Sequence, residues 1–444
     1  MKKKTFYQNL WSIALPVTLQ SLLQSSFSMI DQVMIGQLGE VSIAGIGLGG
    51  KFASMYSVVL GAIAAAAGIM TAQYIGQEND DDLQKSFSVN FLAAVLLAAL
   101  FMALGVLIPD RLMGLYTTDT ATIACAAEYL RVYAAAFIPM AAVSLLSVLL
   151  RCMDAAALPL VVSFAAVGCN TGLNYLLIFG KCGFPALGVR GAAIASVISQ
   201  AGAFVLLIIF FVRVMKNKGR VLHFDIGMDR AHRIQYVGIL LPILACEFLW
   251  SLGENVYAGI YGHMGTDACA AMTMTGSVQG LMIGALSGVS QAAGIMIGKQ
   301  LGNEDDAGAY RDSKRFMVCG VIGSVILSAA LILLAPAYVG IYQVEPQVRE
   351  LTRRILVAFA VISPVKVQNM ILGGGIIRSG GKTKYIMCVD FIGTWLFGVP
   401  LGLLAAFVCK LPIPLVYFIL SLEEVVRLII SLILFRKRVW MEQL

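Results

Sequence analysis

The sequence predicts an all-α membrane protein with twelve transmembrane helices in two homologous six-helix lobes. Three observations carry this. Of 444 residues, 59% are apolar and only 13% charged, about half the charged share of a water-facing domain. Apolar stretches long enough to cross a bilayer recur along the whole chain. The chain also aligns with itself when shifted by 226 residues.

A span needs about 20 apolar residues. Twelve fit, near 12–35, 43–75, 87–108, 121–150, 158–180, 189–212, 235–262, 269–301, 315–341, 351–377, 384–408 and 412–435. The breaks fall at polar or Gly/Pro clusters such as Gln77-Glu78-Asn79-Asp80 and Lys410-Leu411-Pro412. Met1-Lys2-Lys3-Lys4 is basic, but no small-residue cleavage site follows. The first apolar stretch, Trp11 to Ile35, is therefore expected to stay in the membrane. Nine cysteines are scattered without a CxxC pair or other metal spacing. Most, including Cys169, Cys246, Cys319 and Cys388, fall inside apolar runs, where a thiol is a small hydrophobe. Neither a disulfide framework nor a zinc site is expected.

Orientation follows from Lys and Arg, which favour the cytoplasm. With the N-terminus inside, the inside segments hold 21 of the 32 basic residues and the outside segments seven; the other four lie in or beside spans. Both termini are therefore expected in the cytoplasm. The same bias accounts for the net charge of +7, so nucleic-acid binding is not inferred.

The self-alignment pairs Pro16 with Pro242, Gly36 with Gly262, and Gly39 with Gly265. It pairs Ala66-Ala67-Gly68-Ile69-Met70 with Ala292-Ala293-Gly294-Ile295-Met296, and Gly76 and Glu78 with Gly302 and Glu304. From Leu15 to Lys85, 17 of 71 pairs are identical; biased composition alone would give about a third of those. Gly114-Leu115-Tyr116 matches Gly340-Ile341-Tyr342, and Arg151 meets Arg378 after one extra residue. The predicted layout is an N-terminal lobe over 1–212, a cytoplasmic basic linker over 213–234, and a C-terminal lobe over 235–444. Six spans per lobe give both lobes the same orientation, the parallel-repeat plan of alternating-access carriers.

Several motifs resemble one known family. The first span reads Pro16, Asp31, Gly36-x-x-Gly39. The second ends Ala67-Gly68 and Gly76. The fifth reads Asn170-x-x-x-Asn174-Tyr175-Leu176-Leu177-Ile178-Phe179-Gly180, followed by Gly183-Phe184-Pro185-Ala186-Leu187-Gly188-Val189-Arg190-Gly191-Ala192-Ala193. The eighth closes Gly298-Lys299-Gln300-Leu301-Gly302. Over essentially the whole chain this resembles the MATE (multidrug and toxic compound extrusion) family of cation-coupled efflux pumps. The resemblance implies a V-shaped fold and export of amphipathic, often cationic compounds against inward H+ or Na+. It implies a cation-coupling site at Asp31, Asn170 and Asn174, with Asp31 a candidate Na+ ligand. Three departures stand out. Asn174 occupies a position where some members carry Asp. The tenth span, Pro364-Val365-Lys366-Val367-Gln368-Asn369, lacks the Asp of a C-lobe sodium site. Asp154-Ala155-Ala156-Ala157 replaces a Gly-rich turn.

The polar residues inside spans carry the functional reading. A carboxylate in hydrocarbon costs roughly 2.5–3.5 kcal/mol to insert, so Asp31 needs a function or a partner. The bland alternative is a helix cap at the water interface. Its repeat counterpart is Tyr257, so the second lobe lacks this carboxylate. Asn170 and Asn174 share one helix face at i, i+4 and could complete a cation shell or act as helix–helix glue. Glu247 and Glu254 flank Trp250 on one face of the seventh span, a pattern that suits an organic cation. With Tyr257 they form the candidate substrate-binding set. Asp390, Lys366, Glu423, Glu424 and Arg427 are expected to form structural ion pairs. Lys51 either lines the cleft or snorkels outward.

Gly373-Gly374-Gly375 and Gly380-Gly381-Lys382 lack the phosphate-loop frame, so ATP drive is not expected. The histidines His223, His232 and His263 fall in predicted loops, and no nucleophile–base set appears; the chain is not expected to be an enzyme. The expectation is a monomeric secondary efflux transporter of the cytoplasmic (inner) membrane. Its partners are the bilayer and an amphipathic small molecule, and it needs no cofactor beyond the coupling ion. The alternatives are a lipid-linked sugar flippase of related architecture and a non-coupled channel or scaffold.

Overall fold

The computed structural model describes residues 5–38, 40–219, 223–227, 230–340 and 345–444; the side chains of 25, 27–33, 36, 40 and 266 fall outside that description. Twelve long helical elements follow one another: α1 Phe6–Gly36, α2 Glu40–Gly76, α3 Asp80–Leu107, α4 Thr120–Cys152, α5 Ala157–Phe179, α6 Gly188–Asn217, α7 Arg230–His263, α8 Thr266–Gly302, α9 Asp306–Gly340, α10 Pro346–Ile377, α11 Thr383–Val408, and α12, which joins Ile413–Ser421 to Glu423–Arg436. A short helix, Pro109–Gly114, precedes α4. Among the described residues there is no strand. Among the described residues, ten of these elements, α2 to α11, are long and apolar enough to cross a membrane. The fold is that of an all-α membrane protein, because hydrocarbon leaves a backbone no partners outside its own helix.

The helices outrun the apolar windows read from the sequence. α2 has 37 residues, about 55 Å at 1.5 Å per residue, against a hydrocarbon core of about 30 Å. The polar overhangs keep their helical hydrogen bonds in water, where hydropathy no longer reports them. This corrects the placement of two histidines: His232 and His263 sit in the first and last turns of α7 rather than in loops, while His223 is in a loop.

Helix ends are set by local chemistry. Asn79 accepts the amide hydrogen of Asp82 at 3.1 Å, and Asp80, Asp81 and Asp82 fill the first turn of α3, where the helix dipole favours negative charge. Gly180 ends α5 in the left-handed region at φ 65°, which glycine enters without a Cβ penalty. The repeat extends to backbone torsions. Glu78 and its counterpart Glu304 both take positive φ, 55° and 57°. Asp154, in the replaced Gly-rich turn, sits at φ 63°, and its counterpart Gly381 at φ 74°.

Contacts sort the chain into two compact units. The first comprises Met1–Thr18, Ala72–Glu78 and Arg230–Leu444; the second comprises Leu19–Thr71 and Asn79–Asp229. The second has an aromatic core in which Phe52, Tyr56, Phe101 and Phe137 interlock and the Tyr56 hydroxyl donates to the Phe137 carbonyl at 2.7 Å. In the first, Thr18 donates to the Ala285 carbonyl at 3.0 Å, and a Cβ on Gly288 would overlap the Ala14 carbonyl. Small residues let these helices touch backbone to backbone. Three stretches of the first unit widen to π-helix: Met370–Ile377, Ile392–Gly398 and Leu404–Val408. Such bulges leave carbonyls off the regular ladder and recur at functional sites.

Candidate cation and substrate sites

The second unit holds a buried polar ladder. Asn170 and Asn174, one turn apart on α5, are 5% and 1% exposed. The Asn174 amide donates to the Asn170 oxygen at 2.9 Å. Asn170 in turn donates to the hydroxyls of Ser199 at 3.1 Å and Ser196 at 3.3 Å on α6. Those serines donate to α6 carbonyls. The donors thus run from α5 into α6, with the Asn170 oxygen turned to the Asn174 amide. Ser196 and Ser199 escaped the sequence reading; their i, i+3 spacing on the sixth span was the available signal.

The Asp31 side chain lies outside the described residues, but its helix is tied to its neighbours on both sides of it. Toward the start of α1, Gln20 donates to Ser163 of α5 at 2.8 Å and accepts from Arg151 of α4 at 2.7 Å. Toward its end, Ile35 packs on the cluster containing Ile178. Gln20 and Ser163 are 143 apart in sequence, and this bond ties α1 to α5. Carried along the two helices, that offset pairs position 31 with position 174 in sequence.

The first unit holds a charged cavity. A space of about 300 Å³ is lined by Trp250 of α7, Lys366, Asn369, Gly373 and Arg378 of α10, Asp390 of α11, and Glu424 and Arg427 of α12, among others. A second space of about 250 Å³ adjoins it through Trp250, Arg378, Asp390 and Arg427, and adds Cys246 and Glu247. Arg427, 11% exposed, faces three carboxylates: Glu423 at 3.6 Å, Asp390 at 3.8 Å and Glu424 at 3.9 Å. It also donates to Thr394. Lys366 faces Glu424 at 3.8 Å and Arg378 faces Glu247 at 3.9 Å. Asn369 donates to the Glu424 side chain at 2.8 Å and to its carbonyl at 2.7 Å. Four carboxylates therefore stand among three cations. The π-helical stretch of α10 supplies Met370, Gly373 and Gly374 to the wall. The expected ion pairs of Asp390, Lys366, Glu423, Glu424 and Arg427 form.

The candidate substrate residues divide. Glu247 and Trp250 share the smaller cavity. Tyr257 is 5% exposed and its hydroxyl donates to Glu423, so it supports the charged cluster from behind. Glu254 is exposed and lines neither space. Lys51 is exposed. Asn369 and Arg378 were missed as wall residues, and Thr394 as a partner of Arg427; Arg378 had a signal, being the repeat counterpart of Arg151. Among the described residues, no group of three or more His, Cys, Asp or Glu could hold a metal ion.

The MatE family model matches residues 16–176 and 242–404, two segments whose starts differ by the repeat offset. The chain is 25% identical over 399 residues to a probable multidrug resistance protein NorM of Thermotoga maritima, covering 89% of this chain and 84% of that one. It is 26% identical over 408 residues to the multidrug resistance protein NorM of Burkholderia vietnamiensis, covering 89% and 86%. Its fold matches that of the Vibrio cholerae MATE transporter VcmN in the bent form with a TM-score of 0.87, covering 99% of each chain at 16% identity. A family model matched in both halves, on the repeat read from the residues themselves, places this chain in the MATE family of multi-pass membrane transporters.

Proposed function

We propose that the protein is a secondary multidrug efflux carrier that exports amphipathic, cationic small molecules in exchange for H+ or Na+ by alternating access. The reading rests chiefly on the Gln20–Ser163 contact between α1 and α5, whose sequence offset of 143 pairs Asp31 with Asn174 of the buried ladder. A carboxylate beside amide oxygens is a site that a small monovalent cation can neutralise. The names of the relatives, multidrug resistance proteins, support the substrate class.

In this mechanism a proton or Na+ binds at Asp31, with Asn174 and Asn170 holding the neighbouring oxygens. Neutralising the carboxylate changes how α1 packs on α5 and lowers affinity for the organic cation, which leaves outward. The carrier then releases its coupling ion to the cytoplasm and takes new substrate. For a singly charged substrate exchanged one for one the membrane potential cancels, and the chemical gradient of the coupling ion drives export, each tenfold of it supplying about 1.4 kcal/mol. Glu247 and Trp250 offer charge and a π face to an organic cation. The two spaces together carry three carboxylates, Glu247, Asp390 and Glu424, against Lys366, Arg378 and Arg427, so the cavity has no net positive charge of the kind that would hold the pyrophosphate of a lipid-linked sugar. The proposed setting is the inner membrane, with both termini cytoplasmic and a monomer as the working unit.

The test is efflux of ethidium from vesicles carrying the purified protein, with proton and sodium gradients imposed separately. One gradient should drive accumulation. Equal, gradient-independent leak in both would leave a channel.

A further inference from the structure

The glycines Gly380 and Gly381 form no phosphate loop; they seat the chain that follows α12. A Cβ on Gly380 would overlap the carbonyl oxygen of Trp440, and one on Gly381 would meet Leu444. Trp440 is fully buried. Its indole N–H donates to the Phe435 carbonyl at 3.3 Å. Its ring stacks on Phe435, which stacks on Tyr310 with centroids 4.9 Å apart. Glu442 pairs with Lys382 of the same turn.

From this anchor the segment reaches the end of α2. Gln73, fully buried, donates to the Ser379 carbonyl at 2.7 Å and the Glu442 carbonyl at 3.2 Å, and accepts from the Leu444 amide at 2.8 Å. Gln77 donates to the Leu444 carbonyl at 2.8 Å, and Gln443 donates to the Gly302 carbonyl at 3.1 Å. All these partners belong to the first unit. α2 itself belongs to both units, crossing from one to the other at Thr71–Ala72. The arrangement is one-sided. The repeat counterparts of Gln73 and Gln77 are Lys299 and Asn303, so α8 carries no matching pair of glutamines.

We propose that residues 437–444 form a strap that holds the 72–78 end of α2 in the C-terminal unit, and that peeling of 441–444 from Gln73 and Gln77 is a step of the transport cycle. The proposal rests on the alternating-access reading above. A continuous helix shared by two compact units is strained wherever those units rearrange. That end is also packed against α8, but the bonds between it and the strap are a few main-chain to amide contacts, each worth little net, and open more readily than the packed Trp440. Trp440 stays as the anchor and the residues beyond it swing.

Two measurements test this. In a version lacking the nine native cysteines, Gln77→Cys and Leu444→Cys are joined by a reducible thiol cross-linker, and ethidium counterflow in vesicles is read before and after reduction. Linking should slow counterflow at least about tenfold, with recovery on reduction. A linked carrier that exchanges at the unlinked rate overturns the strap. In the unmodified protein, amide exchange of 441–444 should quicken roughly tenfold when ethidium and the driving cation are present together. Equal protection in all conditions also overturns it. Were the unlinked protein to move no ethidium under either gradient, the transport reading would fall, while exchange with and without cation would still decide whether the strap opens.

Discussion

Gly76 and Gly302 are reciprocal. A Cβ on Gly76 would overlap the carbonyl of Lys299, and a Cβ on Gly302 would overlap the carbonyl of Gln73. Each glycine is the other's repeat counterpart, and so are the two carbonyls. This is the signature of a two-fold contact, in which residue i meets j and j meets i. The ends of α2 and α8 thus cross at backbone distance, and only hydrogen fits between them.

Gly76→Ala or Gly302→Ala should each cost about 1–3 kcal/mol through overpacking against a main chain that cannot retreat. Gly202→Ala in α6, which has open space at the Cβ position, should be neutral or slightly stabilising because helical glycine is entropically costly. Thermal unfolding of the purified variants separates these outcomes. Equal melting of all three would remove the contact from the account of the fold.

The fold was largely legible in the sequence because hydrocarbon imposes one secondary structure and because the repeat is ungapped over two helices. Pro16 and Pro242, or Gly76 and Gly302, could be paired by counting. The site was legible in part. Asn170 and Asn174 face a common ladder as their spacing required, since i, i+4 positions share a face. Tyr257 and Glu254 could not be placed in the same way. A helix face seven residues long says nothing about whether its far end meets a cavity, the core or solvent. The gathering of Glu247 with Arg378 and Asp390 joins three helices, and no local pattern encodes that.

Arg427 holds three carboxylates around one guanidinium. Arg427→Met should destabilise the protein by about 3–5 kcal/mol, since it leaves those carboxylates buried without their cation. Adding Asp390→Asn and Glu424→Gln should return part of that loss, because two of the three carboxylates left without Arg427 are then neutral and only Glu423 stays charged. Melting temperatures of the single and triple variants provide the check. A triple variant less stable than Arg427→Met would show that the carboxylates are held by other partners.

Asp119 caps α4 outside the membrane, accepting from the Thr122 amide at 3.0 Å and the Thr122 hydroxyl at 2.5 Å. The Thr122 hydroxyl and amide hold its carboxyl below the usual aspartate range. The folded value lies below the unfolded one, so the stabilisation is present at neutral pH and fades as pH falls through the folded value, below about 3.9. Amide exchange at residues 120–123 should therefore rise in acid. Asp119→Asn, which can still cap, should remove that acid dependence. Asp119→Ala should fray the turn at every pH.

The contact of α1 with α5 makes the most searching prediction. The Gln20–Ser163 offset pairs position 31 with position 174, and Asn174 is buried one turn from Asn170. Asp31→Asn should leave the protein folded but remove the cation dependence of efflux, because no carboxylate remains to be neutralised there. Loss of one coupled charge forfeits about 2.3 kcal/mol per 100 mV, enough to abolish measurable accumulation of ethidium in vesicles. The double variant Asp31→Asn with Asn174→Asp moves the carboxylate across the helix pair to the paired position. It should recover part of the gradient-driven transport, with a shifted pH or sodium dependence set by the Asn170 ladder. A carboxylate placed at 170 instead, as Asn170→Asp on the Asp31→Asn background, lies one turn away and against Ser196 and Ser199, and should recover less. Wild-type coupling by Asp31→Asn alone would sink the mechanism. Equal rescue from both positions would remove the special place given to residue 174.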